Sequence, residues 1–151
     1  MKAGVLRIAV CVALTVATAC DSGTGPSWAA SVAQHRWEER RPATYQYTVF
    51  RGCECLSEMI GPVIVFVDGG TVTRRYAANG AVVSSTYAEL FPTIDGLFEV
   101  IEDARRQDAA KIEVDYDATY GFPTRVSIDY HREMADDEIT YTASQFVIPV
   151  R

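Results

Sequence analysis

Cys53-Glu54-Cys55 is the stretch of this chain where residue type and spacing most readily support chemistry. Thiols at positions i and i+2 of a strand point to one face. Fully extended, their Cα atoms would stand about 6.5–7 Å apart, at or past the upper edge of disulfide geometry. Gly52 beside them offers a bend or bulge that shortens the gap. Four uses stay open. The pair is a tight structural disulfide at the end of a strand, a redox-exchanging thiol pair (a strained small ring is the easier to reduce), part of a metal site, or two inert thiols. Structural zinc needs four ligands, and His35 and His131 are the only imidazoles to join the thiols.

Acidic residues form the second group: Asp115, Asp117 and Asp129, with Asp136-Asp137-Glu138. Their spacing does not match a calcium loop, whose ligands alternate around a central glycine and end on glutamate. Paired catalytic carboxylates need a cleft that separates their pKa values. Solvated turns are the simpler account, and an acidic edge discourages sheet-to-sheet aggregation. Nucleophilic catalysis is harder to assemble. No serine sits in a Gly-x-Ser-x-Gly elbow, and Ser84-Ser85 has no base nearby in the sequence. Gly69-Gly70 lacks the strand-to-helix context of a phosphate loop. Eight tyrosines alternate largely within strands, where they serve a core or a sheet surface, with partner binding as the other use. No catalytic residue, metal or cofactor is called for, and a hydrolase is disfavoured.

The elements that must position these residues belong to an ordinary globular chain. Its 151 residues are 48% hydrophobic and 23% charged, which suits one domain and excludes disorder. The net charge of -6 argues against nucleic-acid binding, which requires a basic face. No apolar run reaches the roughly 20 residues of a membrane-spanning helix.

Lys2 and Arg7 precede an apolar stretch from Ile8 to Val16, the length of a secretory core and too short to span a bilayer. Ala17-Thr18-Ala19 and then Cys20 follow, a pattern that resembles the bacterial lipobox, with Ala17 where leucine is more usual. The resemblance implies a signal peptide over 1–19, cleavage before Cys20, and a lipid on its thiol; ordinary secretion is the alternative. Residues 20–27 are then a small, polar, flexible tether. Cys11 leaves with the leader, so Cys53 and Cys55 have only each other to pair with once Cys20 is acylated. The expected location is the extracytoplasmic face of a membrane, held by a lipid anchor, as a monomer with no nucleic-acid partner.

Residues 28–151 are expected to form a single α+β domain. Ser27 can cap a helix from Trp28 to about Arg41, with Ala30, Ala33 and Trp37 on one stripe and Pro42 stopping it. Tyr45, Tyr47 and Val49 then alternate as one face of a strand. Pro62 to Val67 is continuously apolar, as expected of a central strand, and Asp68-Gly69-Gly70 is a hairpin turn returning into Thr71–Tyr76. Residues 77–92 show no pattern and are expected to be loop. Thr93 caps a second helix to about Gln107, and strands follow at Ile112–Tyr116, Val126–Tyr130 and Glu138–Ile148. The architecture implied is an antiparallel sheet of about six strands with two helices on one face.

In order, Trp37, Tyr45-Gln46-Tyr47-Thr48, Arg51-Gly52-Cys53-Glu54-Cys55 and Val65-Phe66-Val67-Asp68-Gly69-Gly70 form a recognisable series. Ile94-Asp95-Gly96-Leu97-Phe98, Val114-Asp115-Tyr116-Asp117, Gly121-Phe122-Pro123, Ile128-Asp129 and Asp136-Asp137-Glu138 continue it. The series resembles an uncharacterised bacterial lipoprotein family, domain of unknown function 6174, over about residues 37–142. That resemblance implies the fold and the address and carries no activity. The function expected is therefore non-enzymatic, a binding or envelope-support role; the alternative is a redox or metal-binding module built on Cys53 and Cys55.

Overall fold

Helix α1 spans Trp28–Arg40 and buries Ala30, Ala33 and Trp37, the stripe that helical spacing selects. It stops two residues before Pro42, whose ring disfavours helical backbone at Arg41. The computed structural model describes residues 28–134 and 136–150. The leader expected over 1–19, the lipidation site expected at Cys20, the tether expected over 20–27 and the expected Ser27 cap lie outside the described residues.

Strand β1 (Thr44–Gly52) alternates buried and partly exposed residues, with Tyr45, Tyr47 and Val49 inward. Strands β2 (Val63–Asp68) and β3 (Thr71–Ala77) form the expected hairpin, and Gly69 and Gly70 adopt φ values of 58° and 78° at its turn. Between 77 and 92 the chain makes one bridge, Tyr76 to Val82, and a short 3-10 turn at Ala88–Leu90. Helix α2 (Ile94–Arg106) opens on Thr93, whose hydroxyl accepts from the Gly96 amide at 3.0 Å. It closes in a Schellman arrangement: Ala109 N–H bonds the Ala104 carbonyl at 3.0 Å, Asp108 N–H bonds Arg105 at 3.1 Å, and Asp108 takes a left-handed φ of 54°. Strands β4 (Lys111–Tyr116), β5 (Pro123–Asp129) and β6 (Ile139–Val147) complete the chain.

All six strands join one antiparallel sheet in the order β3-β2-β1-β6-β5-β4. The centre is the β1–β6 pair, and β2 is one step outward from it, which differs from the central place its apolar run suggests. The run has another cause. Val63, Val65 and Val67 are buried toward the helices, while Ile64 and Phe66 are half-buried on the opposite face, where Phe66 meets Tyr76 edge to face at 5.9 Å.

The helix-covered face holds the core. Tyr47 sits opposite Val65, Val49 opposite Val63 and Ala143, and Val126 opposite Tyr141. Onto these pack Trp37 from α1 and Leu97, Phe98 and Ile101 from α2, each large apolar side chain contributing about 1.5–3 kcal/mol by leaving water. Gln145 interrupts β6 with φ of 51° and a shift of register against β1. Beyond it Phe146 joins an aromatic group with Trp37, Tyr45, Tyr120 and Phe122, at centroid distances of 5.0–6.1 Å.

Candidate functional site

The inward stripe of β1 does not end with its apolar residues. Tyr45, Tyr47 and Val49 are followed two residues on by Arg51, which is only 6% exposed. It stands opposite Tyr141 of β6. Period-two alternation carries its side chain to the helix side of the sheet, at the end where the strand runs into the cysteine loop.

The chain leaves β1 at Gly52, so Cys53-Glu54-Cys55 lies beyond the strand rather than extended within it. The Cys55 amide bonds the Cys53 carbonyl at 3.0 Å, a three-residue turn that brings the two Cα atoms to 5.3 Å. That is inside disulfide range, and the two sulfurs are joined. Both cysteines are partly exposed. The loop then makes a 3-10 turn at Ser57–Met59 and returns to the strand, where the Gly61 amide bonds the Arg51 carbonyl at 2.9 Å. A side chain at Gly61 would lie 2.7 Å from the Phe50 Cα and 2.8 Å from the Val49 carbonyl oxygen, so only glycine permits this approach.

The loop thereby wraps the Arg51 guanidinium. Nη1 donates to Cys53 Sγ at 2.7 Å, to Cys55 Sγ at 3.4 Å and to the Met59 carbonyl at 2.9 Å, while Nε donates to Tyr141 Oη at 3.2 Å. Among the described residues no carboxylate forms an ion pair with it. A buried cation normally has an anionic partner, because desolvation is otherwise uncompensated. Here neutral oxygens and two disulfide sulfurs, which are weak acceptors, take that place. A cavity of about 380 Å³ lies beside the loop, where Ser57 and Glu58 meet Ile60, Val63, Tyr87 and Phe91.

The other sequence candidates do not converge on this site. His35 is exposed and lies 3.6 Å from Glu39 on α1. His131 is exposed too, with Nδ1 2.6 Å from Asp137. Asp117 organises a turn by accepting from the Thr119 and Tyr120 amides at 2.9 and 2.6 Å. Asp115 faces Arg125 across β4 and β5. One oxygen each of Asp129 and Asp137 is buried without a protein partner. Among the described residues no three His, Cys, Asp or Glu side chains gather in a metal-binding group. Ser84 accepts from the Thr86 amide at 3.4 Å and meets neither histidine. Tyr45, Tyr47 and Tyr141 belong to the core, and burial raises the Tyr45 and Tyr47 phenols above their ordinary value.

Arg51 is the residue that spacing alone overlooked. The signal was present: a charge falls two residues after Val49 on an otherwise apolar stripe, and that pattern marks a buried polar group in need of partners.

A family model described as a family of unknown function, DUF6174, matches residues 29–148. The match extends past both ends of the series of motifs over 37–142. No curated protein and no solved structure matches the chain.

Proposed function

We propose that this chain, which belongs to the family of unknown function DUF6174, is a lipid-anchored extracytoplasmic lipoprotein whose folded domain serves a binding or envelope-support role. The observation that carries the reading is the Cys53–Cys55 pairing. Disulfides persist in oxidising compartments outside the cytoplasm, and that is where a lipobox leader delivers a chain. The order of Lys2 and Arg7, the apolar stretch Ile8–Val16 and Ala17-Thr18-Ala19-Cys20 supports the same address. The net charge of -6 disfavours nucleic acid as the partner.

Mass spectrometry of the native protein tests the anchor. The expected N-terminus is Cys20 carrying acyl mass, and Cys20→Ser releases a folded domain into the soluble fraction. A native chain that keeps Met1 and carries no acyl group overturns the reading.

One observation favours a second reading, the thiol module on Cys53 and Cys55: the Arg51 guanidinium is aimed at both sulfurs. Metal ligation has less support than redox exchange, since the described residues bring no third ligand to the two sulfurs.

A further inference from the structure

We propose that Cys53–Cys55 is an exchangeable disulfide rather than a staple, that its partner is an external dithiol, and that Arg51 stabilises the Cys53 sulfur released when the bond opens. The proposal rests on the thiol reading and is independent of the lipid anchor. Three observations carry it. The bond joins residues only two apart, and so small a loop constrains the unfolded chain little. Both cysteines are partly exposed at the sheet end, within reach of an incoming thiol. Arg51 is buried, has no carboxylate partner among the described residues, and donates to Cys53 Sγ at 2.7 Å.

The chemistry follows from that asymmetry. An external thiolate attacks Cys55 Sγ and forms a mixed disulfide there, while the Cys53–Cys55 bond breaks. Its electron pair goes to Cys53 Sγ, which becomes a thiolate against the guanidinium, the anionic partner that Arg51 otherwise lacks. The second external thiol, having given its proton to solvent, attacks its own partner sulfur in the mixed disulfide. The external disulfide closes, and Cys55 leaves and takes up a proton. Two electrons pass from the external dithiol to the pair. The better leaving sulfur is the one Arg51 holds, because a stabilised thiolate leaves faster. Glu54 and Glu58 are the nearest acidic residues in the loop; both are exposed, and Glu58 accepts from Ser57 at 3.1 Å.

The test uses the full chain in detergent with dithiothreitol as the dithiol. In native buffer the wild-type disulfide is expected to open without unfolding. In a fixed dithiothreitol redox buffer, Arg51→Met is expected to lower the ratio of reduced to oxidised protein about tenfold, with Arg51→Lys intermediate, as loss of one charge beside a thiolate implies. A wild-type bond that opens only on denaturation overturns the thiol reading itself. A bond that opens equally well in Arg51→Met leaves the thiol reading standing and overturns the role of Arg51. If Arg51→Met fails to fold, the comparison moves to chains that keep one cysteine of the pair, with alkylation read at that residue by peptide mass. Cys53 in Cys55→Ser is expected to react with iodoacetamide about tenfold faster than Cys55 in Cys53→Ser; equal rates overturn the proposal.

Discussion

Trp37 Nε1 donates to Asp95 Oδ1 at 3.2 Å, and the same oxygen accepts from Arg41 at 2.6 Å. One carboxylate in the first turn of α2 thus satisfies the buried indole of α1 and the cation just past its end. An indole N–H needs an acceptor when buried, and a negative charge suits a helix N-terminus. The two helices are therefore joined by a polar contact at the rim of the core they cover.

Asp95→Ala is expected to destabilise the domain by about 2 kcal/mol, chiefly through the unsatisfied indole, since the half-exposed ion pair with Arg41 contributes little. Asp95→Asn keeps an acceptor and is expected to cost less than half of that. Urea titrations followed by circular dichroism compare the two; equal losses would count against the indole as the main cause.

Alkaline pH is expected to weaken the fold. Tyr47 Oη donates to the Pro92 carbonyl at 2.5 Å, Tyr45 Oη accepts from the Ile94 amide at 3.2 Å, and burial raises both phenols above 10.0. Tyr116 and Tyr130 shift the same way, also by burial. A raised pKa keeps the proton on the native chain while the unfolded chain loses it. The contribution is therefore complete below about pH 10 and declines as pH rises above it. Tyr47→Phe is expected to cost about 1–3 kcal/mol at neutral pH and to show a shallower alkaline decline. Denaturation midpoints measured from neutral to strongly alkaline pH check both slopes.

Gly121 and Gly80 share a left-handed backbone, at φ of 83° and 82°. They differ in surroundings. A Cβ on Gly121 would run into the Ala33 carbonyl oxygen of α1 and lie 3.0 Å from Arg36 Cβ, whereas one on Gly80 would meet nothing within 4 Å. Gly80→Ala is expected to cost about 1 kcal/mol, the backbone strain alone, and Gly121→Ala about 3 kcal/mol or more because α1 must shift. Thermal unfolding of the pair separates the two contributions, and equal losses would argue against the close approach of α1.

Asp108 ends α2 in a conformation that glycine or asparagine adopts at less cost. Asp108→Gly is expected to stabilise the protein by about 0.5–1 kcal/mol, with Asp108→Asn gaining less. A lower melting temperature in both variants would show that the aspartate has a compensating contact.

Replacing Cys53 and Cys55 together by serine is expected to cost no more than about 1.6 kcal/mol, because the chain entropy removed by a three-residue loop is small. The denaturation midpoint of the double variant measures it; a loss several times larger would make the bond a structural staple.

The elements themselves were legible in local spacing. Tyr45, Tyr47 and Val49 alternate, Asp68-Gly69-Gly70 supplies the turn, Thr93 caps and Pro42 stops, and each acts within a few residues of itself. The six-stranded antiparallel sheet and its two helices follow from them. The candidate site was half legible. Cys53 and Cys55 stood out, but the extended-strand estimate of their separation was too long, because β1 ends at Gly52 and a three-residue turn takes over. Tertiary structure alone decided the rest. It placed β1 beside β6, moved β2 off the centre, turned Phe146 inward past Gln145, and surrounded Arg51 with Tyr141, Met59 and two sulfurs. Arg51 and Tyr141 are separated by 90 positions. Periodicity records which face a side chain takes; which strand lies alongside is settled by ladders and core packing that reward long-range closure, and only those contacts left a cation facing a disulfide.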